Sequence, residues 1–206
     1  MAFLYLIIYI YIYIYIYQQD VSHNKLTSLP PRIGSLVRLR KFTFSHNLLT
    51  KLPASFGLLH NLTNIEANNN AITSIGIDLW VMPILVRADF RCNMLIDPPI
   101  LKACVLVQEL YLGNNNISSL RDFAFAPVSL KLLDIRDNHI REIPGSVTML
   151  QNLERLDLSN NDINALPREL GRIATLKAIT VDGNPLRTIS RTIIGQGGQA
   201  ILKHLR

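Results

Sequence analysis

Cysteine is scarce: Cys92 and Cys104 are the only two in 206 residues. Two thiols do not build the disulfide framework or the cysteine-rich caps of extracellular arrays, so the composition points to a reducing compartment and a cytoplasmic protein. Charge is thin too, at 17% of residues. The net +6 comes from bases scattered singly, with no Lys/Arg run interleaved with aromatics. That speaks against nucleic acid as a partner. Catalytic signatures are missing: no Ser/His/Asp or Cys/His constellation and no nucleotide fingerprint stands out. The Gly195-Gln196-Gly197-Gly198 run is followed by no Gly-Lys-Ser/Thr, so it reads as a flexible turn and not a phosphate loop. The composition therefore points away from an enzyme, and it implies no cofactor.

Aromatic residues are unevenly spent. Six of the seven tyrosines lie in the first 17 residues, which leaves Tyr111 alone in the rest of the chain. From Ile8 to Tyr17 the sequence is strict Ile/Tyr alternation. Three readings of residues 1–17 compete. A signal peptide needs a basic n-region and a small-residue cleavage site, and neither is present. A helix of this length reaches about 25 Å at 1.5 Å per residue, short of a roughly 30 Å bilayer core. It also has no flanking base before Lys25. The third reading is a translated TA dinucleotide repeat, since TAT-ATA encodes Tyr-Ile without end. On the third reading the segment is a gene-model artefact; on the second it tethers a membrane-associated protein.

What the rest of the chain has is an asparagine that returns on a fixed period: Asn24, Asn47, Asn70, Asn93, Asn115, Asn138, Asn161 and Asn184. Six of the seven intervals are 23 residues and one is 22. A period in the twenties marks a solenoid whose units bury their apolar faces only by stacking. Leu156-Asp157-Leu158-Ser159-Asn160-Asn161-Asp162-Ile163 and Leu133-Asp134-Ile135-Arg136-Asp137-Asn138-His139-Ile140 both read L-x-L-x-x-N-x-L. The alternating apolar pair is a short strand with one buried face. The Asn amide that follows is placed to bond the turn and the neighbouring coil. The predicted fold is an α/β solenoid, a right-handed leucine-rich repeat superhelix of about eight 23-residue units, with a parallel concave sheet.

The return legs repeat as well. Leu29-Pro30 with Ile33, Leu52-Pro53 with Phe56, Ile143-Pro144 with Val147, and Leu166-Pro167 with Leu170 predict short helical or 3₁₀ turns on the convex side. Residues 76–107, with Trp80, Pro98-Pro99 and the short interval, are expected to be least regular. The division is a segment 1–17, a repeat domain 18–189 and a C-terminal capping helix or tail 190–206. In that tail Ala200, Ile201, Leu202 and Leu205 give residues 199–206 an amphipathic face. In the first unit Gln19 occupies the core position that Leu156 fills later.

A resemblance is carried by Ser45-His46-Asn47, by Leu133–Asn138 and by Leu153–Ile163. It is most distinctive at Gly183-Asn184-Pro185-Leu186-Arg187-Thr188-Ile189 with Ile201-Leu202-Lys203-His204-Leu205-Arg206. These stretches are similar to the leucine-rich repeat-containing protein 40 family over roughly residues 20–206. Ser190 and His204 depart from it, where the family favours Arg and Tyr. The resemblance implies an intracellular interaction protein, and a chain that is a fragment of a longer array.

Function then belongs on the concave face, where the positions six, four, two and one before each Asn point outward. The column four before reads Asp20, Thr43, Glu66, Asp89, Tyr111, Asp134, Asp157 and Thr180. Beside it stand Lys41, Arg87 and Arg155 in one column, and Arg91 and Arg136 in the other. Tyr and Arg among charges of both signs suit a protein contact. The candidate partner-binding residues are therefore Arg87, Asp89, Arg91, Tyr111, Asp134, Arg136 and Asp157. The plainer reading is that acid and base columns neutralise one another. The ladder carboxylates are expected to be well solvated. His23 and His46 hold equivalent positions and are expected within about 5 Å of each other. No third ligand with suitable spacing follows, so no metal site is read. Asn61-Leu62-Thr63 and Asn116-Ile117-Ser118 match the glycosylation pattern, as an Asn-rich chain readily does by chance. The expected partner is another protein, the expected state a monomer, and a membrane enters only through residues 1–17.

Overall fold

The computed structural model describes residues 16–76, 81–100, 103–120 and 129–206. Most of the Ile/Tyr segment and Trp80 lie outside them. Three-residue strands recur once per unit: β1 (Gln18–Asp20), β2 (Lys41–Thr43), β3 (Asn64–Glu66), β4 (Arg87–Asp89), β5 (Glu109–Tyr111), β6 (Leu132–Asp134), β7 (Arg155–Asp157) and β8 (Ala178–Thr180). They form one parallel sheet in chain order. The middle residue of each strand faces inward. Phe42, Ile65, Ala88, Leu110, Leu133, Leu156 and Ile179 stack as a buried column. Gln19 enters the same register and is only half-buried.

Register is continuous through the region expected to be irregular. Arg87 pairs with Glu109, 22 residues on, so the missing residue is absorbed on the return leg and not in the sheet. Opposite the sheet, 3₁₀ turns occupy η1 (Pro31–Ser35), η2 (Ala54–Leu58), η3 (Gly145–Met149) and η4 (Arg168–Arg172). These are the four units with a Leu-Pro or Ile-Pro pair. The proline precedes or opens each turn, where a missing N–H costs nothing. Ile33, Phe56, Val147 and Leu170 point from the turns into the core. Cys104 is one more core residue, in the column of Leu59, Met82, Leu150 and Ile173, and burial pushes its thiol pKa up.

The Asn ladder ties one coil to the next. Asn138 accepts from the Ile117 N–H at 3.0 Å and donates to Leu112 O, Ile135 O and Arg136 O at 3.0, 3.1 and 2.9 Å. Asn47, Asn93, Asn115 and Asn161 repeat this pattern and are buried. Asn70 and Asn184 bond alike while half-buried. Asn24 differs: it is exposed, and its amide donates only to Val21 O and Ser22 O of its own coil.

Each ladder Asn follows a residue with positive φ: His23, His46, Asn69, Cys92, Asn114, Asp137 and Asn160 at 51–56°, and Gly183 at 74°. Asn, Asp, His and Gly tolerate the left-handed region best, so this column's composition is conformational. At the C-terminal end Ser190 Oγ caps α1 (Arg191–Gly195) by accepting from the Ile193 N–H. The helix α2 (Gly198–Leu205) lays Ile201, Leu202 and Leu205 over β8 and η4. Gly198 permits that contact, because a Cβ there would lie 2.3 Å from Ile179 O. Among the described residues no helix is long and apolar enough to cross a membrane.

Candidate concave protein-binding face

The strand register puts Asp89, Tyr111, Asp134 and Asp157 side by side, one per coil. The structure brings three of the predicted residues, with Tyr111, into one cluster. Arg87 and Arg91 flank the Tyr111 ring, their guanidinium carbons 4.5 and 4.8 Å from its centroid. Arg91 holds Asp89 through Nε at 3.0 Å and Nη2 at 2.5 Å. Arg87 donates to Glu109 and, at 3.2 Å, to the Tyr111 hydroxyl, which itself donates to Glu109 at 3.0 Å. Burial and the bond to Glu109 push the phenol above its usual pKa, so it stays a donor. The ring is thus a preorganised platform whose cations are already neutralised.

Two expectations fail here. The column four before the Asn is not uniformly outward and solvated: Asp89 is 2% exposed and Asp134 6%. Arginine side chains close on it: Arg87 and Arg91 reach Asp89 at 4.0 and 2.5 Å, and Arg136 lies beside Asp134. Ser45 and Gly113, in the column two before, are buried as well. Burial raises the Asp134 pKa above the ordinary Asp value, against the Arg136 N–H at 3.2 Å and the Arg136 charge, while Asp157 adds to the rise. Arg136 reaches Asp134 and Asp137 only at 3.8 and 3.7 Å. Asp157 accepts from the Ser159 N–H and hydroxyl at 3.0 and 2.5 Å, so it braces its own coil.

Residue types alone did not single out Glu109 and Leu132. Leu132 was detectable, since its column reads Gln18, Lys41, Asn64, Arg87, Glu109, Leu132, Arg155 and Ala178, with one large aliphatic. Beyond Tyr111 the face opens. A recess of about 200 Å³ is lined by Tyr111, Leu132, Asp134, Arg155, Asp157 and Thr180, among others. A second of about 220 Å³ shares Leu132 and Arg155 and is bordered by Glu109, Lys131 and Glu154. Arg155 is exposed, while the neighbouring Lys177 is spent on Glu154 at 2.8 Å.

A leucine rich repeat family model matches residues 128–186. The fold is similar to that of a leucine-rich repeat protein of Leptospira interrogans (TM-score 0.78, 26% identity), covering 82% of this chain and 44% of that one. It is also similar to YopM from Yersinia enterocolitica (TM-score 0.65, 26% identity), with 84% of this chain and 35% of that one covered. The plant peptide hormone receptor RGFR1, in complex with RGF2, matches with TM-score 0.71 and 26% identity, over 81% and 28% of the two chains. In each case the chain spans less than half of the matched protein. Asparagine ladder, eight-stranded sheet, convex 3₁₀ turns and these likenesses converge: the chain is a leucine-rich repeat protein.

Proposed function

We propose that this chain is a non-catalytic protein-interaction module that takes its partner on the concave face, across β4 to β8. The observation that carries the reading is the contrast within that face. The Arg87–Tyr111–Arg91 stack, fixed by Asp89 and Glu109, supplies a rigid aromatic platform. The recesses around Leu132 and Arg155 supply open, partly apolar space beside it. A rigid aromatic anchor next to unfilled pockets loses little entropy on binding. Asp134 and Asp157 line the first recess, and Arg136 stands beside Asp134. The plant peptide hormone receptor in its complex, a protein of similar fold, supports a peptide or protein ligand.

Finer placement rests on the sequence. Similarity to the leucine-rich repeat-containing protein 40 family at Gly183–Ile189 and Ile201–Arg206 supports an intracellular scaffold. Its two departures are structurally mild, since Ser190 caps α1 and His204 is exposed. The scarcity of cysteine, two residues in the whole chain, suits the same compartment.

The test is paired affinity capture, with partners quantified by mass spectrometry. Leu132→Glu with Arg155→Glu, and separately Tyr111→Ala with Arg136→Glu, are expected to cut capture at least tenfold while the melting temperature stays near wild type. Undiminished capture by both folded variants overturns the concave-face reading.

A further inference from the structure

One pair of side chains lies outside the proposed partner site and is built with unusual regularity. His23 and His46 occupy the same position in consecutive coils, both exposed and both at φ 55°. Their rings stack with centroids 4.3 Å apart and planes 12° from parallel. The backbone beneath them is fixed. His23 N–H donates to Ser45 O at 3.0 Å, His46 N–H to Asn68 O at 2.9 Å, and Asn24 N–H to His46 O at 3.2 Å. Only the χ angles of two imidazoles remain free. Asn69, next in the column, places its amide 3.4 Å from His46 Nε2. Asp20, three residues before His23, adds negative charge but has its Oδ1 on the Ser22 N–H at 2.8 Å.

From this geometry we infer that His23 and His46 form a two-histidine clamp for a borderline divalent cation such as Cu²⁺, Ni²⁺ or Zn²⁺. Rotation about χ1 and χ2 of both residues unstacks the rings and tilts them until one nitrogen from each points to a shared site. Metal–nitrogen bonds of about 2.0–2.1 Å then close across the coil spacing. Imidazole suits these metals, and with nitrogen donors the order of affinity places Cu²⁺ first. Water completes the coordination. The cost of bringing two ligands together is met by the coil lattice, which holds their backbones in register whether or not metal is present. The sequence showed two ligands without a third; the structure adds that their backbones are held in register and their rings lie within reach of each other.

The experiment is calorimetric titration of untagged, chelator-treated protein with CuCl₂, NiCl₂ or ZnCl₂. Wild type is expected to bind one equivalent, most tightly for Cu²⁺. His23→Asn and His46→Asn are each expected to weaken binding roughly tenfold or more, in the range seen when a metal site loses a supporting group. The double variant should fall no further than the residual level. Asparagine already sits at this position in Asn69, Asn114 and Asn160, so the fold tolerates the change. Exposed His204→Ala on α2 should leave binding unchanged. Asn69→His, which extends the column to three histidines, should tighten binding. Wild-type affinity equal to that of the double asparagine variant, or Asn69→His without effect, overturns the clamp.

Discussion

Replacing Asn138 by Leu separates the cross-coil ladder from mere repetition of asparagine. The two side chains are close in volume, so the substitution removes hydrogen bonds and leaves packing nearly intact. Three of the four bonding groups have second partners. Leu112 O keeps the Asn115 amide at 2.9 Å, Ile135 O keeps the Asn161 amide at 3.0 Å, and Arg136 O keeps the Asn114 N–H at 2.9 Å. The Ile117 N–H keeps none, and it is buried. One orphaned buried donor costs about 1–3 kcal/mol, and the lost bonds add about 1 kcal/mol more. The expected loss is therefore roughly 2–4 kcal/mol. At about 2–4 °C per kcal/mol for a chain of this size, the melting temperature should drop by about 4–16 °C. Asn24→Leu is the internal control, since Asn24 is exposed and its side-chain amide bonds only within its own coil. Its cost should stay within about 0.5 kcal/mol, as for ordinary surface changes. Urea titration followed by far-UV circular dichroism measures both. Equal losses for the two variants would refute the idea that bonds between coils, and not the amide itself, carry the stability.

Three further outcomes are expected. Gly198→Ala should lift α2 from β8, because its Cβ would stand 2.3 Å from Ile179 O; hydrogen exchange should then rise at residues 176–181 but not at β4. Asp134 has a folded pKa raised by burial, so the native state holds its proton longer than the unfolded chain. Stability must then fall as pH climbs from the ordinary Asp value, 3.8, through the raised one, and Asp134→Asn should abolish that component of the urea-midpoint profile. In native protein Cys104, fully buried with its thiol pKa pushed up, should react with a thiol reagent far more slowly than half-exposed Cys92, the difference vanishing in denaturant.

Much of the fold was legible because its signals are local and repeated. A period-2 apolar pair, an Asn and a Leu-Pro pair each specify one backbone event, and repetition multiplies them. The ladder geometry followed from the chemistry of one amide. The degree of burial on the concave face did not. Asp89 and Asp134 read as solvated because strand alternation assigns them outward, yet they are buried, Asp89 against Arg87 and Arg91 and Asp134 beside Arg136. Glu109 was hidden for a related reason: its partners, Arg87 on the neighbouring strand and Tyr111 two residues on, are set by coil register rather than by any sequence motif. The column before each Asn was legible in principle, since His, Asn, Asp and Gly recur there and share tolerance of positive φ. Only Cys92 breaks that pattern.

The central claim is that the concave face between β4 and β8 is where a protein partner sits. Hydrogen–deuterium exchange on the captured complex tests it most directly. Protection concentrated on residues 109–111, 132–134, 155–157 and 178–180 is the predicted result. Protection confined to the convex turns η1 to η4, or to the exposed apolar edge at Leu48, Met94 and Ile96, would contradict it.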